Sequence, residues 1–483
     1  MGALAGTGME RARRVAAALS AHAAGRSPLL LLDLDRVTHQ VGLWRQHLPQ
    51  VAPCYAVKAN SAPQLLDHLA ALGVGFDAAT GGELDLVAAH AAPPVRIVCT
   101  HPVRDAVDLQ AIVRQRPAYV VVQHAADLDA LLAAGVPGAD YAPTLLVRIG
   151  LPFSNLDKFG LRVLSPIADG DRATWQIHAD AVVDLCHTAT ALAARVGRRF
   201  AGFGLAGHVG TNCTVVDHYR VLVGLFRLLR EHASGRGLAL DTFDLGGGYC
   251  DDEAAAAAGT SPAALLRAIG AVVADAAAAC PEVRWIAEPG RFLVADAATL
   301  LTTVKSVQQP AWRFQADAGW LAEPHLEVHI DDGLYGNLMG QQHDGKRWSW
   351  SLLAQRPADA PQLPARIWGA TCDSYDCIAG MPLLPADLHR GDVLMVPGAG
   401  AYTLVTNTQF NRTAPTHVFA FTHEPARGFR GRWLDGSEAV LGTAATWSET
   451  REISVADRGL APRRRDNARG AHRAVGAEGR EST

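Results

Sequence analysis

Val51-Ala-Pro-Cys-Tyr55-Ala-Val57-Lys58-Ala-Asn60 is the stretch on which the reading of this chain turns. The apolar run Val51 to Val57 predicts a buried strand, and a lysine ends it. Burial beside such a strand lowers the cost of losing an ammonium charge, so the Lys58 amine can act as a nucleophile and form a Schiff base. A lysine at a strand end is more often a solvated loop charge, so the assignment depends on its surroundings.

Working outward from Lys58, short apolar segments alternate with Ala/Leu-rich helical ones between about residues 50 and 295. The expected strands are Cys54–Lys58, Val74–Ala78, Ile97–Thr100, Tyr119–Gln123, Leu145–Gly150, Gly202–Val209, Phe243–Gly246 and Trp285–Glu288. Helical stretches such as Ala62–Leu72, Gly82–Ala89, Val215–His232 and Pro262–Ala278 separate them. The pattern predicts the α/β class and a closed (β/α)8 barrel, with an open doubly wound sheet as the alternative. Nearly every strand ends on a polar or glycine residue: Lys58, Asp77, His101, Arg148, His208, Gly246–Gly248 and Glu288–Arg291. In a barrel these ends ring one mouth, where active sites are built.

Beyond Phe292, alternating segments (326–330, 365–370, 393–396, 416–422) and turn clusters predict a β-rich second domain. The expected organisation is a helical segment over 1–27, a strand within 28–40 joining the β domain, a barrel over 41–295, a β-rich domain over 296–425 and an extension over 426–483. Arg, Gly and Ala dominate from Pro462 to Thr483, a composition expected to stay disordered.

The 483 residues exceed one core, and 49% hydrophobic with 19% charged content reads as globular. A net charge of −4, spread along the chain, gives no footprint for nucleic acid. No uninterrupted apolar run of membrane-spanning length occurs, so no membrane span is expected. The eight cysteines form no C-x-x-C pair, and no histidine lies at zinc spacing from them. Reduced thiols, a cytoplasmic location and no metal are the expectation.

Asp244-Leu-Gly246-Gly247-Gly248-Tyr249 follows an apolar strand, and its glycines let backbone N–H groups approach an anion. Glu288-Pro-Gly290-Arg291 ends the next strand with a carboxylate, a second close-approach glycine and a guanidinium suited to phosphate. A lysine, two glycine loops, an arginine and a glutamate are the parts that a bound pyridoxal phosphate needs.

With these motifs the chain resembles the fold-type III pyridoxal phosphate decarboxylases, the ornithine/lysine/diaminopimelate group, over about residues 28 to 425. It is most similar to the ornithine decarboxylase branch. The resemblance implies an alanine-racemase-like barrel with Lys58 as the Schiff-base lysine and Asp77 and Glu83 supporting it. Arg148 would lie near the cofactor's ring oxygen, His208 on its ring, and Thr211 near its phosphate. Gly246, Gly247, Gly248, Gly290, Arg291 and Tyr402 would hold the phosphate, with Glu288 against the ring nitrogen. The Cys372-Asp373-Ser-Tyr-Asp376 motif would cross a homodimer interface, giving Cys372 as proton donor to Cα and Asp373 as the contact for a distal ammonium. Asp344 and Tyr335 complete the expected substrate site, the two carboxylates sharing one ammonium, and Lys158 would pair with Asp376 between subunits.

Glu288 at the ring nitrogen favours decarboxylation over racemisation, because a carboxylate keeps that nitrogen protonated. The resemblance implies a carboxy-lyase acting on ornithine or lysine in diamine and polyamine synthesis. His101-Pro102-Val-Arg104, Ala206-Gly207 and Tyr375 depart from the ornithine pattern. They leave open the same chemistry on a larger amino-acid conjugate, in siderophore or antibiotic biosynthesis. A catalytically silent regulator of the antizyme-inhibitor kind is the reading of another class, and a small pyridoxal phosphate carrier lacks the β domain expected here.

Overall fold

The computed structural model describes residues 7–19, 25–90, 96–151, 159–169, 172–310, 313–315, 319–321, 324–425, 428–441 and 451–453. Strand β1 (Leu29–Asp33) is buried throughout and leads into a helix over Leu34–His47, which Asp33 caps by accepting from the Asp35 N–H at 3.1 Å. The barrel follows: β2 (Val51–Ala56), β3 (Gly75–Ala78), β4 (Ile97–Cys99), β5 (Tyr119–Val122), β6 (Thr144–Arg148), β7 (Gly202–Ala206), β8 (Leu240–Asp244) and β9 (Arg284–Ala287). All eight pair in parallel with sequence neighbours, and β9 closes the ring onto β2. The fold is therefore the closed barrel and not the open sheet.

Side chains alternate across each strand, so in-register residues of neighbouring strands share a face. The inward face is a small apolar plug of Cys54, Val98, Val121, Leu146, Ala206 and Ile286. Asp77 is in register with Val98, and Asp244 with both Ala206 and Ile286. Two acidic side chains thus stand inside the barrel at the rung nearest its mouth.

The helix Pro262–Ala279 has the length and mean hydropathy (1.5) of a membrane span, a feature that scanning for unbroken apolar runs misses. Here it belongs to the outer ring. Leu265, Leu266, Ile269 and Val273 are buried, and Gly270 lets it approach the His47 carbonyl, where a Cβ would come within 2.0 Å.

The second unit is a mixed sheet. Its central strand β10 (Ala298–Gln308) pairs antiparallel with β1, and β1 pairs in parallel with β11 (His417–Glu424). The 28–40 segment therefore contributes its strand to this sheet and its helix to the barrel side. Residues beyond 425 continue the sheet through Gly428–Trp433 and Glu438–Leu441. Phe429 and Trp433 pack with Ala12, Val15 and Leu19 of the helix Gly8–Leu19. Arg11 on that helix donates to Asp33 and Asp35, which ties the helix to the end of β1. Pro462–Thr483, expected to be disordered, lies outside the described residues.

Candidate active site

Lys58 occupies a short 3-10 turn, Val57–Ala59, at the end of β2. Its Nζ donates to the carboxylate of Asp77, whose other oxygen accepts from Thr100 Oγ1 at 2.5 Å. Burial alone would pull the Lys58 pKa down, but Asp77 and then Glu288 outweigh it and hold it above its ordinary value. This reverses the expectation from the sequence. Lys58 is a paired ammonium here, because Asp77 arrives from the neighbouring strand.

Gly246 and Gly248 both have positive φ, 66° and 102°, and added Cβ atoms would lie 2.1 and 2.3 Å from the carbonyl oxygens of Gly207 and Gly210. Only glycine accommodates that crossing of two strand ends. The Glu288 N–H donates to the Gly246 carbonyl at 2.9 Å, fixing the 288–291 loop beside the glycine loop. Tyr402 reaches in from the sheet unit: its N–H donates to the Ala59 carbonyl at 2.8 Å, and the Arg291 guanidinium lies 4.8 Å above its ring. Asn60 Nδ2 donates to the Gly400 carbonyl at 2.9 Å, so residues following Lys58 hold the Tyr402 loop.

Lys58, His208, Thr211, Gly247, Gly248, Glu288, Gly290, Arg291 and Tyr402 line one cavity. Gly246, Asp77, Glu83 and Arg148 are not on its lining, but Asp77 accepts from Lys58, Glu83 lies near Asp77 and Lys58, and Arg148 lies near His208. His208 Nδ1 accepts from the Gly210 N–H at 2.9 Å. Burial, with Arg148 and Lys58 near, pushes the His208 pKa down to about 3, so the ring is neutral and presents a flat apolar face. Glu83 accepts from the Ala79 N–H at 2.6 Å, and burial raises its pKa. Burial, with Asp244 and Asp77 nearby, holds Glu288 well above the usual carboxylate range.

Two contributors escaped sequence reading. Asn212 follows Thr211 in a left-handed turn (φ 48°) and lines the same cavity. Asp244 opens the glycine motif but points inward, a direction that only the register reveals.

Tyr335, Cys372, Asp373 and Asp376 lie elsewhere in the chain. The Tyr335 hydroxyl donates to Asp373 Oδ2 at 2.5 Å, and Cys372 is exposed. Tyr335, Thr371 and Asp376 line a cavity of about 420 Å³ that shares no residue with the one at Lys58. Asp344 is not beside Asp373: its carboxylate pairs with Arg291, so the expected pair around one ammonium does not form within a chain. Asp376 is also differently engaged. It is buried, accepting from the Leu334 N–H at 2.7 Å and from Thr371 Oγ1 at 2.7 Å, so its carboxylate is satisfied within its own chain. Lys158, its expected partner, lies outside the described residues.

A phosphorylated pyridine fits the cavity at Lys58. Arg291 Nε, a donor suited to an anion, is buried there without a hydrogen-bond partner among the described residues, Gly247 and Gly248 leave the wall without side chains, and Glu288 lines the same cavity. Barrel, amine and cradle together define a fold-type III pyridoxal phosphate enzyme.

Comparison with known proteins carries this further. The model for the pyridoxal binding domain of pyridoxal-dependent decarboxylases matches residues 34–162, and that for their C-terminal sheet domain matches residues 181–400. The chain belongs to this family of pyridoxal-dependent ornithine/lysine/diaminopimelate-type decarboxylases and is a carboxy-lyase by that membership. It is 29% identical to ornithine decarboxylase of Panagrellus redivivus, covering 85% of this chain and 89% of that one. Antizyme inhibitor 2 of Xenopus laevis is 27% identical over 81% of each chain. Lysine/ornithine decarboxylase of Vibrio vulnificus, solved with cadaverine, superposes with a TM-score of 0.68 at 28% identity, covering 85% of this chain and 98% of that one.

Proposed function

We propose that this protein decarboxylates a basic amino acid, ornithine or lysine in the first place, releasing a diamine and carbon dioxide. The observation that carries the proposal is the gathering of Lys58, His208, Glu288, Arg291 and Tyr402 around one cavity. Bound pyridoxal phosphate would supply the electron sink for loss of the carboxylate. Lys58 would carry it covalently, after giving up to solvent the proton that Asp77 now stabilises. Gly247, Gly248, Arg291 and Tyr402 would hold the phosphate, His208 would cover the ring, and Glu288 would hold a proton at the ring nitrogen.

Cys372 would then return a proton to Cα, and Asp373, oriented by Tyr335, would receive the distal ammonium. Because these residues share no cavity with Lys58 in one chain, they would come from the partner subunit of a homodimer. Carbon dioxide release by the purified protein tests this. L-ornithine or L-lysine should be consumed, and turnover of a conjugated amino acid alone would replace the substrate while leaving the chemistry intact. Failure to bind the cofactor would favour the antizyme-inhibitor-like reading.

A further inference from the structure

Behind Glu288 stands a second carboxyl group with no role in the scheme above. Asp244 is fully buried inside the barrel, and its Oδ1 accepts from the Gly246 N–H at 2.9 Å. Its Oδ2 is buried and finds no donor among the described residues. Beside it is the carboxyl of Glu288, the residue that follows the adjacent strand β9: Asp244 is in register with Ile286, and the Glu288 N–H donates to the Gly246 carbonyl at 2.9 Å, two residues from Asp244. Two ionised carboxylates cannot hydrogen-bond each other. With one proton between them they can, and the orphaned oxygen is then satisfied.

The charges nearby point the same way. Three buried carboxylates, Asp77, Asp244 and Glu288, face two cations, Lys58 and Arg148, and Lys58 is already paired with Asp77. Cys54 and Tyr249, which also face this pair, are both pushed up by burial and by these same acids, so they carry no charge at neutral pH, and Glu83, beyond Lys58 and Asp77, adds another acid rather than a cation. An uncompensated buried charge is costly, and a proton removes it.

We propose that Asp244 and Glu288 hold one proton between them at neutral pH, making Asp244 a positioning residue that sets the basicity of Glu288. Its consequence rests on the function proposed above. Negative charge shared between Asp244 and Glu288 would lie close to a ring nitrogen beside Glu288 and favour its protonated form, so the ring would stay protonated to higher pH.

Two measurements on the full-length protein test the proposal. Infrared spectroscopy of the cofactor-free protein at pH 7 should show a protonated-carboxyl band that both Asp244→Asn and Glu288→Gln abolish. If both variants keep the band, it belongs to another buried acid, and if the wild type has none there is no shared proton; either result overturns the proposal. Nitrogen-15 NMR of labelled pyridoxal phosphate bound to the protein should show the ring nitrogen losing its proton at lower pH in Asp244→Asn than in wild type, by about one pH unit or more. An unchanged midpoint would reject the positioning role. A wild type that binds no pyridoxal phosphate would instead defeat the functional reading and leave the infrared result standing. If Asp244→Asn does not fold, the Glu288→Gln band alone decides whether the proton exists, and Asp244→Glu decides the role: it should keep both the band and the midpoint.

Discussion

Asp344 is ion-paired with Arg291, the guanidinium that lies over the Tyr402 ring at the cofactor cavity. Asp251 approaches the same guanidinium at 3.7 Å, so two carboxylates compete for the cation that a phosphate would need. Replacing Asp344 by Asn should remove one competitor and tighten pyridoxal phosphate binding several-fold, roughly what loss of one partly buried charge contact gives. Equilibrium fluorescence titration of the cofactor-free protein measures this. Weaker cofactor binding, or an unchanged constant with a large rise in KM for ornithine, would return Asp344 to the substrate site.

Asp77 holds Lys58 in its charged form, with burial opposing and the carboxylate prevailing. Asp77→Asn should lower the lysine's pKa and so raise the fraction of free amine at a given pH. Covalent capture of pyridoxal phosphate, followed by absorbance between pH 7 and 9, should then be faster in the variant. Lys58→Ala should abolish the band altogether. Slower capture by Asp77→Asn would show that the carboxylate assists more than it restrains.

The barrel was legible because each buried strand is a short apolar run closed by a polar or glycine residue, from Cys54–Lys58 to Trp285–Glu288. Local pattern suffices for that. The state of Lys58 was not legible, since it depends on Asp77, which sequence places nineteen residues away and register places alongside. Asp344 and Asp373 both read as free carboxylates, yet one answers to Arg291 and the other to Tyr335. Such pairings are set by loops converging from distant parts of the chain, and no periodicity records them. The strands beyond residue 425 were hidden for a related reason: Phe429 and Trp433 acquire their partners only when the helix Gly8–Leu19 folds over them.

Asp296 gives a test on stability. Burial, with Asp252 close by, pushes its pKa up to about 6 from an ordinary 3.8. The folded protein therefore binds more protons than the unfolded chain between those values, and this group's contribution to stability falls as pH rises from about 4 to 6. Asp296 Oδ2 accepts from the Asp252 N–H at 3.1 Å, a bond that an asparagine oxygen can also accept. Asp296→Asn should raise the melting temperature at pH 7 and flatten its dependence on pH over that window. Calorimetry of wild type and variant at pH 5 and 7 separates the outcomes: equal slopes would mean that Asp296 titrates normally.

Cys372 and Asp373 do not line the cavity at Lys58; Cys372 is exposed on its own chain, and Asp373 accepts from the Tyr335 hydroxyl. If each active site takes Lys58 from one subunit and Cys372 from the other, Lys58→Ala and Cys372→Ala should each be nearly inactive alone. Mixed under conditions that exchange subunits, they should recover activity. Random pairing makes half of the dimers mixed, and each mixed dimer pairs an intact Lys58 with an intact Cys372 at one of its two sites, so recovery should approach about a quarter of wild type. A site built within one chain cannot be restored this way, because every chain in the mixture carries a defect. Recovery near zero, with exchange verified by mass-tagged subunits, would place Cys372 outside the reaction or in the same chain as its lysine. Tyr335→Phe sharpens the same point: loss of the hydroxyl that orients Asp373 should raise KM for a basic substrate roughly tenfold, with a smaller change in kcat.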